Sequence, residues 1–183
     1  MKKLITLLLI ALFHVNGISQ DFKALHKQLL TYNKQEQFDH ADVEIVKAVD
    51  YLLTHPYKEQ SESYLFALKS MITWMNGTQK YAIILDGRLA KACGEDRLML
   101  NMYMASMAKY LLNERFEKNR YILPQQEAGN PIMTQDDMWE IMLKGGEIFI
   151  PYLMNESQVK PNKALRKFIK AYKKGELSKA LFY

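Results

Sequence analysis

One cysteine, Cys93, stands in the whole chain, so no internal disulfide can form and stability has to come from packing. Histidine is equally scarce: beyond the first twenty residues there are only His26, His40 and His55, none of them in a Cys/His signature. A catalytic thiol is therefore poorly supplied with a base, and Cys93 beside Gly94 reads as a small buried apolar residue. No P-loop, G-x-S-x-G, paired CxxC or HExxH occurs, which removes the signatures of the commonest nucleotide, acyl-transfer and zinc chemistries. The apolar run Leu4 to Val15 is shorter than the roughly 20 residues that cross a bilayer as a helix.

That short run has a different use. Met1-Lys2-Lys3 forms a positive start, Leu4 to Val15 an apolar middle, and Asn16-Gly17-Ile18-Ser19 a polar end with small residues at Gly17 and Ser19. This three-part pattern predicts a signal peptide over 1–19, cleavage after Ser19, and export to the periplasm or beyond. No cysteine lies at the cleavage point to carry a lipid. The remainder, 20–183, is expected to form a single helical domain.

Charge is unevenly spread. Losing Lys2 and Lys3 lowers the formal charge from +5 to +3. From Lys160 onward eight Lys and Arg face one acid, Glu176, so this segment carries +7 and residues 20–159 carry −4. A basic terminal helix suits an acidic protein or an anionic membrane surface; export argues against nucleic acid. Its alternative is the solvated face of an ordinary amphipathic helix.

The segment with least freedom is Asp96 to Asn113. At 100° per residue Met99, Met102, Tyr103, Met104, Ser106, Met107, Tyr110 and the leucines between them cover more than half of a helix circumference. Such a helix needs neighbours on several sides and is expected at the centre of the fold. Ala105 and Ala108 leave a strip that either admits another helix or faces water.

Around it, Phe22, Leu25, Leu29 and Tyr32 predict a helix from Asp21 to about Gln37. Phe38 to Asp42 breaks that pattern, and Asp39 or Asp42 is expected to cap a second helix running to His55, before Pro56. Ser61 or Ser63 opens a third, stopped at Asn76-Gly77 by a glycine in the left-handed conformation. Trp74-Met75-Asn76-Gly77-Thr78 and Tyr81, with Ala48, Tyr51-Leu52-Leu53 and Pro56 ahead of them, resemble an uncharacterised family of small exported helical bacterial proteins, the likeness running from Ala48 to Leu112. The resemblance implies a helical fold and export; no activity is assigned to that family, so it carries over no functional residue.

Tyr81 to Leu85 fits a short strand or a buried turn of helix, and Arg88 to Cys93 a short helix between Gly87 and Gly94. Pro124 to Pro131 reads as a turn-rich loop, and Thr134 to Asp137 as a capping box. At Gly145, Gly146 and Pro151 either the helix is kinked and its glycines admit a close neighbour, or Glu147 to Met154 is extended; a broken helix is expected, because everything around it is helical. A last helix starts at Pro161 and is interrupted at Lys174-Gly175. Ala171 to Leu181 resembles the turn of a tetratricopeptide repeat, with no second copy at the 34-residue period. The expected class is all-α: antiparallel helix pairs around a central buried helix, as a bundle or short superhelix, with at most a minor strand pair.

Three clusters carry groups capable of chemistry. Met99, Met102, Met104 and Met107 supply thioethers of the kind that hold Cu(I), yet on a helix they lie at about 0°, 300°, 140° and 80° and cannot converge on one ion. Asp39, His40, Asp42 and Glu44 read as a helix entry, and Asp136, Asp137 and Glu140 as dipole-stabilising first-turn acids. No catalytic, cofactor or metal residue is therefore assigned. The functional reading is a non-catalytic exported protein that binds a protein or other partner. Its candidate contact surface is Lys163, Arg166, Lys167, Lys170, Lys173 and Lys174. The alternatives are a hydrolase of unfamiliar class, gathering residues such as His40, Asp86, Arg88, Asp136 and Glu140 in a pocket, and peripheral attachment to an anionic membrane.

Overall fold

The computed structural model describes residues 21–57, 61–81, 83–123, 135–156 and 160–183. The segment 1–19 read as a signal peptide, the Pro124 to Pro131 segment read as a turn-rich loop, and Thr134 of the expected capping box lie outside them. Among the described residues there are eight helices and no strand. They are α1 Phe22–Leu29, α2 Gln35–Thr54, α3 Glu62–Gly77, α4 Gly87–Cys93, α5 Arg97–Lys118, α6 Asp136–Asn155, α7 Lys163–Lys173 and α8 Leu177–Phe182. None of these helices is long and apolar enough to cross a membrane.

α5 is the centre. Asp96 caps it, accepting the Met99 N–H at 3.1 Å, and buried residues occur on every side of it, from Met99 to Glu114. Ala105 and Ala108 are wholly buried, so their strip faces a neighbour and not water. α6 packs along α5 with Tyr110 bonded to Glu140, Met107 against Gly145, and Tyr103 beside Phe149 at 5.5 Å. One series falls as the other rises, so the pair is antiparallel. The same test makes α2 and α3 antiparallel: Phe38 meets Gly77, Asp42 meets Trp74, and Tyr51 meets Tyr64. α1 packs on α3, while α4, α7 and α8 form a smaller group joined to α5 and α6.

Several sequence expectations need correction. α1 stops at Leu29, and α2 has already begun at Gln35, so Asp39 and Asp42 lie inside α2 and cap nothing. Gln37 Oε1 accepts the Asn33 and Lys34 N–H groups at 2.9 and 3.0 Å instead. Phe38, Ala41, Asp42 and Ile45 are all buried at helical spacing. The apparent break arises because Asp42 looks polar in the sequence but occupies a core position. Gly77 ends α3 without a positive φ; the feature it supplies is the absence of a side chain. Tyr81 and Ile83 to Leu85 form neither strand nor helix.

α6 runs unbroken through Gly145, Gly146 and Pro151. Two glycines and a proline cost a helix about 5 kcal/mol in propensity. Phe149, Ile150, Tyr152 and Leu153 are buried just there, and each such side chain returns about 1.5–3 kcal/mol. Packing therefore outweighs propensity. α7 begins at Lys163 and not at Pro161, because Asn162 takes the cap.

Candidate binding surface

α7 is held from both ends. Asn162 Oδ1 accepts the Leu165 N–H at 2.9 Å while its Nδ2 donates to the Ala92 carbonyl of α4 at 2.8 Å. At the far end Gly175, with φ +70°, lets the Glu176 N–H close on the Ala171 carbonyl at 2.9 Å. Leu165 and Phe168 are buried, Ile169 and Tyr172 pack beside them, and the contacts are with α4, α6 and α8.

The apolar stripe so fixed turns the opposite side outward. On a helix of 100° per residue Lys163, Arg166, Lys167, Lys170, Lys173 and Lys174 fall within an arc of about 120°, opposite Leu165 and Phe168. All six are exposed. None makes an ion pair or side-chain hydrogen bond with another described residue. Elsewhere several cations are neutralised: Lys23 pairs with Glu62 at 2.6 Å, Lys47 with Glu44 at 2.7 Å, Lys109 with Asp50 at 2.6 Å and Lys144 with Glu147 at 2.8 Å. Cations without an ion pair to a described residue, such as Lys27, Lys69 and Arg97, are scattered over different helices and form no row. Lys160 and Lys179, also exposed, extend the positive region past both ends of the helix.

The other clusters are committed to the fold. Trp74 Nε1 and Tyr81 Oη donate to the two oxygens of Asp42 at 2.9 and 2.7 Å, and burial raises the Asp42 carboxyl above its usual range. Asp39 pairs with Lys80 and accepts from Gln35 at 2.7 Å, while His40 is exposed. Glu140 is gripped by Arg120 through two bonds of 2.7 and 2.6 Å and by the Tyr110 hydroxyl. The Arg120 bond holds its carboxyl below the usual value, the wrong direction for a general acid. Arg120 also reaches the buried Glu114 at 3.3 Å, so it ties the end of α5 to the start of α6. Asp86 caps α4 through the Gly87 N–H at 2.6 Å and pairs with Lys91.

Sulfur is dispersed in the same way. Met102 Sδ accepts the Tyr64 hydroxyl at 3.2 Å and Met107 meets Gly145. Met104 is half-buried at a cleft of about 250 Å³ beside Trp74, Tyr81 and Ile83. A second cleft, about 300 Å³, lies between the ends of α2 and α6 at His55, Pro151 and Tyr152. Neither is lined by His40, Asp86, Arg88, Asp136 or Glu140. Cys93 is buried, and burial pushes its thiol up to about 12.

The sequence does not mark Asp42, Trp74 and Tyr81 as one unit, nor Arg120 as a tie, since Asp42 lies 32 and 39 residues from its donors and Arg120 lies 20 residues from Glu140. Comparison with known proteins supplies no relative for these features: no family model, no curated protein and no solved structure matches this chain.

Proposed function

We propose that the protein is an exported, non-catalytic helical binding protein, and that Lys163, Arg166, Lys167, Lys170, Lys173 and Lys174 form the surface that receives an anionic partner. One observation carries this reading: α7 displays a row of unneutralised cations on a helix whose other face is locked into the core. Keeping like charges together costs self-repulsion, whereas a partner of opposite sign relieves it. Export rests on the pattern of residues 1–19 and places the surface among extracytoplasmic partners. The likeness of Ala48 to Leu112 to small exported helical proteins points the same way.

The test is binding of a soluble polyglutamate peptide to the purified protein. Replacing Lys167, Lys170 and Lys174 by Gln is compared with replacing Lys27, Lys69 and Arg97, exposed cations on α1, α3 and at the start of α5. The strip variant is expected to lose binding about tenfold or more, and the control to lose less than threefold. Equal losses would mean that overall charge and not this surface governs binding. Mass spectrometry of the exported protein should find Gln20 at its N-terminus; a retained residue 1 would remove export from the reading.

A further inference from the structure

The chemistry of the strip narrows its partner. This step rests on the contact surface just proposed, and we infer that the anionic partner is the headgroup surface of a lipid bilayer.

Five of the six charges are lysine ammonium groups and one is a guanidinium. Protein interfaces are poor in lysine and draw their affinity from buried aromatic and arginine anchors seated in pockets. Fixed carboxylates are best read by the planar fork of arginine, which holds two oxygens at once. The α7 arc carries no aromatic side chain, and neither of the two clefts described above is lined by it. Its flank on one side is Ala164 and Ala171, whose short side chains leave the lysine stems standing clear. Flexible point charges in a row suit a fluid array of anions that has no fixed geometry to match.

The row also runs the length of one continuous helix. Eleven residues at 1.5 Å each give about 16 Å of helix carrying charge along its whole length. Lys160 and Lys179 continue the charge beyond it. Leu165, Phe168, Ile169 and Tyr172, which a free amphipathic helix would insert among acyl chains, are already packed against α4, α6 and α8. The protein therefore adsorbs at the headgroup level without insertion, and the attraction is electrostatic throughout. Such binding is screened by salt.

The experiment is co-sedimentation with vesicles of phosphatidylcholine, with and without phosphatidylglycerol. Binding is expected only with phosphatidylglycerol and only at low salt, and is expected to vanish in salt strong enough to shorten the Debye length to about 3 Å. Each near-surface lysine strengthens adsorption roughly fivefold, so the Lys167, Lys170 and Lys174 to Gln variant loses about a hundredfold. The Lys27, Lys69 and Arg97 variant retains binding. If polyglutamate or a DNA duplex binds through the strip while phosphatidylglycerol vesicles do not, the bilayer is overturned and the contact surface stands. If none of these probes binds, both fall. Vesicle binding that survives high salt, or is unchanged in the strip variant, overturns electrostatic adsorption through α7.

Discussion

The ring of Phe38 fills the space that a side chain on Gly77 would need: a Cβ built there lies 2.0 Å from Phe38 Cζ. The two residues stand near the start of α2 and at the end of α3, so their contact fixes how closely that antiparallel pair closes. Gly77→Ala must displace a buried ring and is expected to destabilise the protein by about 1–3 kcal/mol in urea unfolding. Combining it with Phe38→Leu should recover part of the loss. A Gly77→Ala variant as stable as the parent would show that the ring moves freely.

The neighbouring glycines of α6 should behave differently from one another. A Cβ on Gly145 would sit 2.4 Å from Met107 Cγ and 3.2 Å from Met107 Cα, so the backbones of α5 and α6 would have to separate. On Gly146 the nearest atom is Leu89 Cδ2 at 3.3 Å, the end of a flexible side chain. Gly145→Ala is expected to lower stability by about 2 kcal/mol, whereas in Gly146→Ala the gain in helix propensity of about 1 kcal/mol offsets the tight contact. Thermal melts of the two variants compare them directly, and equal shifts would refute the distinction.

Asp42 is both a structural acceptor and a buried charge. Asp42→Ala leaves the Trp74 N–H and the Tyr81 hydroxyl without their acceptor and should cost about 3 kcal/mol. Asp42→Asn should cost less, since its amide can donate to a reoriented Tyr81 hydroxyl. The sign of the pH effect follows from the raised carboxyl. A carboxyl held up in the fold supports folding below its unfolded value of about 3.9, and that support is lost as pH rises through the folded value. The stability of the parent relative to Asp42→Asn is therefore expected to be greater near pH 4 than near pH 7. A difference independent of pH would mean that Asp42 titrates alike in the folded and unfolded chain.

Cys93 offers a direct probe of the packing among α4, α5 and α7. Buried and with its thiol pushed up to about 12, it should be inert to a disulfide reagent at neutral pH in the native protein and react promptly in denaturant. Fast native modification would place the end of α4 in solvent.

Periodicity alone was enough for the helical class, for α5 as the buried centre, for a serine cap at Ser61 or Ser63, of which the fold uses Ser61, and for the cationic arc of α7, because each depends on residues within a few turns of one another. It takes Asp42 for a break, and at Gly145, Gly146 and Pro151 it expects a broken helix while leaving a kinked helix with a close neighbour and an extended segment both open. The first is a core position only because Trp74 and Tyr81, more than thirty residues away, donate to it. The second stays helical only because α5 lies close enough to reward the missing side chains with burial. Local pattern records what a segment prefers when alone. Which polar group is worth burying, and which glycine is needed for closeness, depends on partners that meet only when the chain has folded.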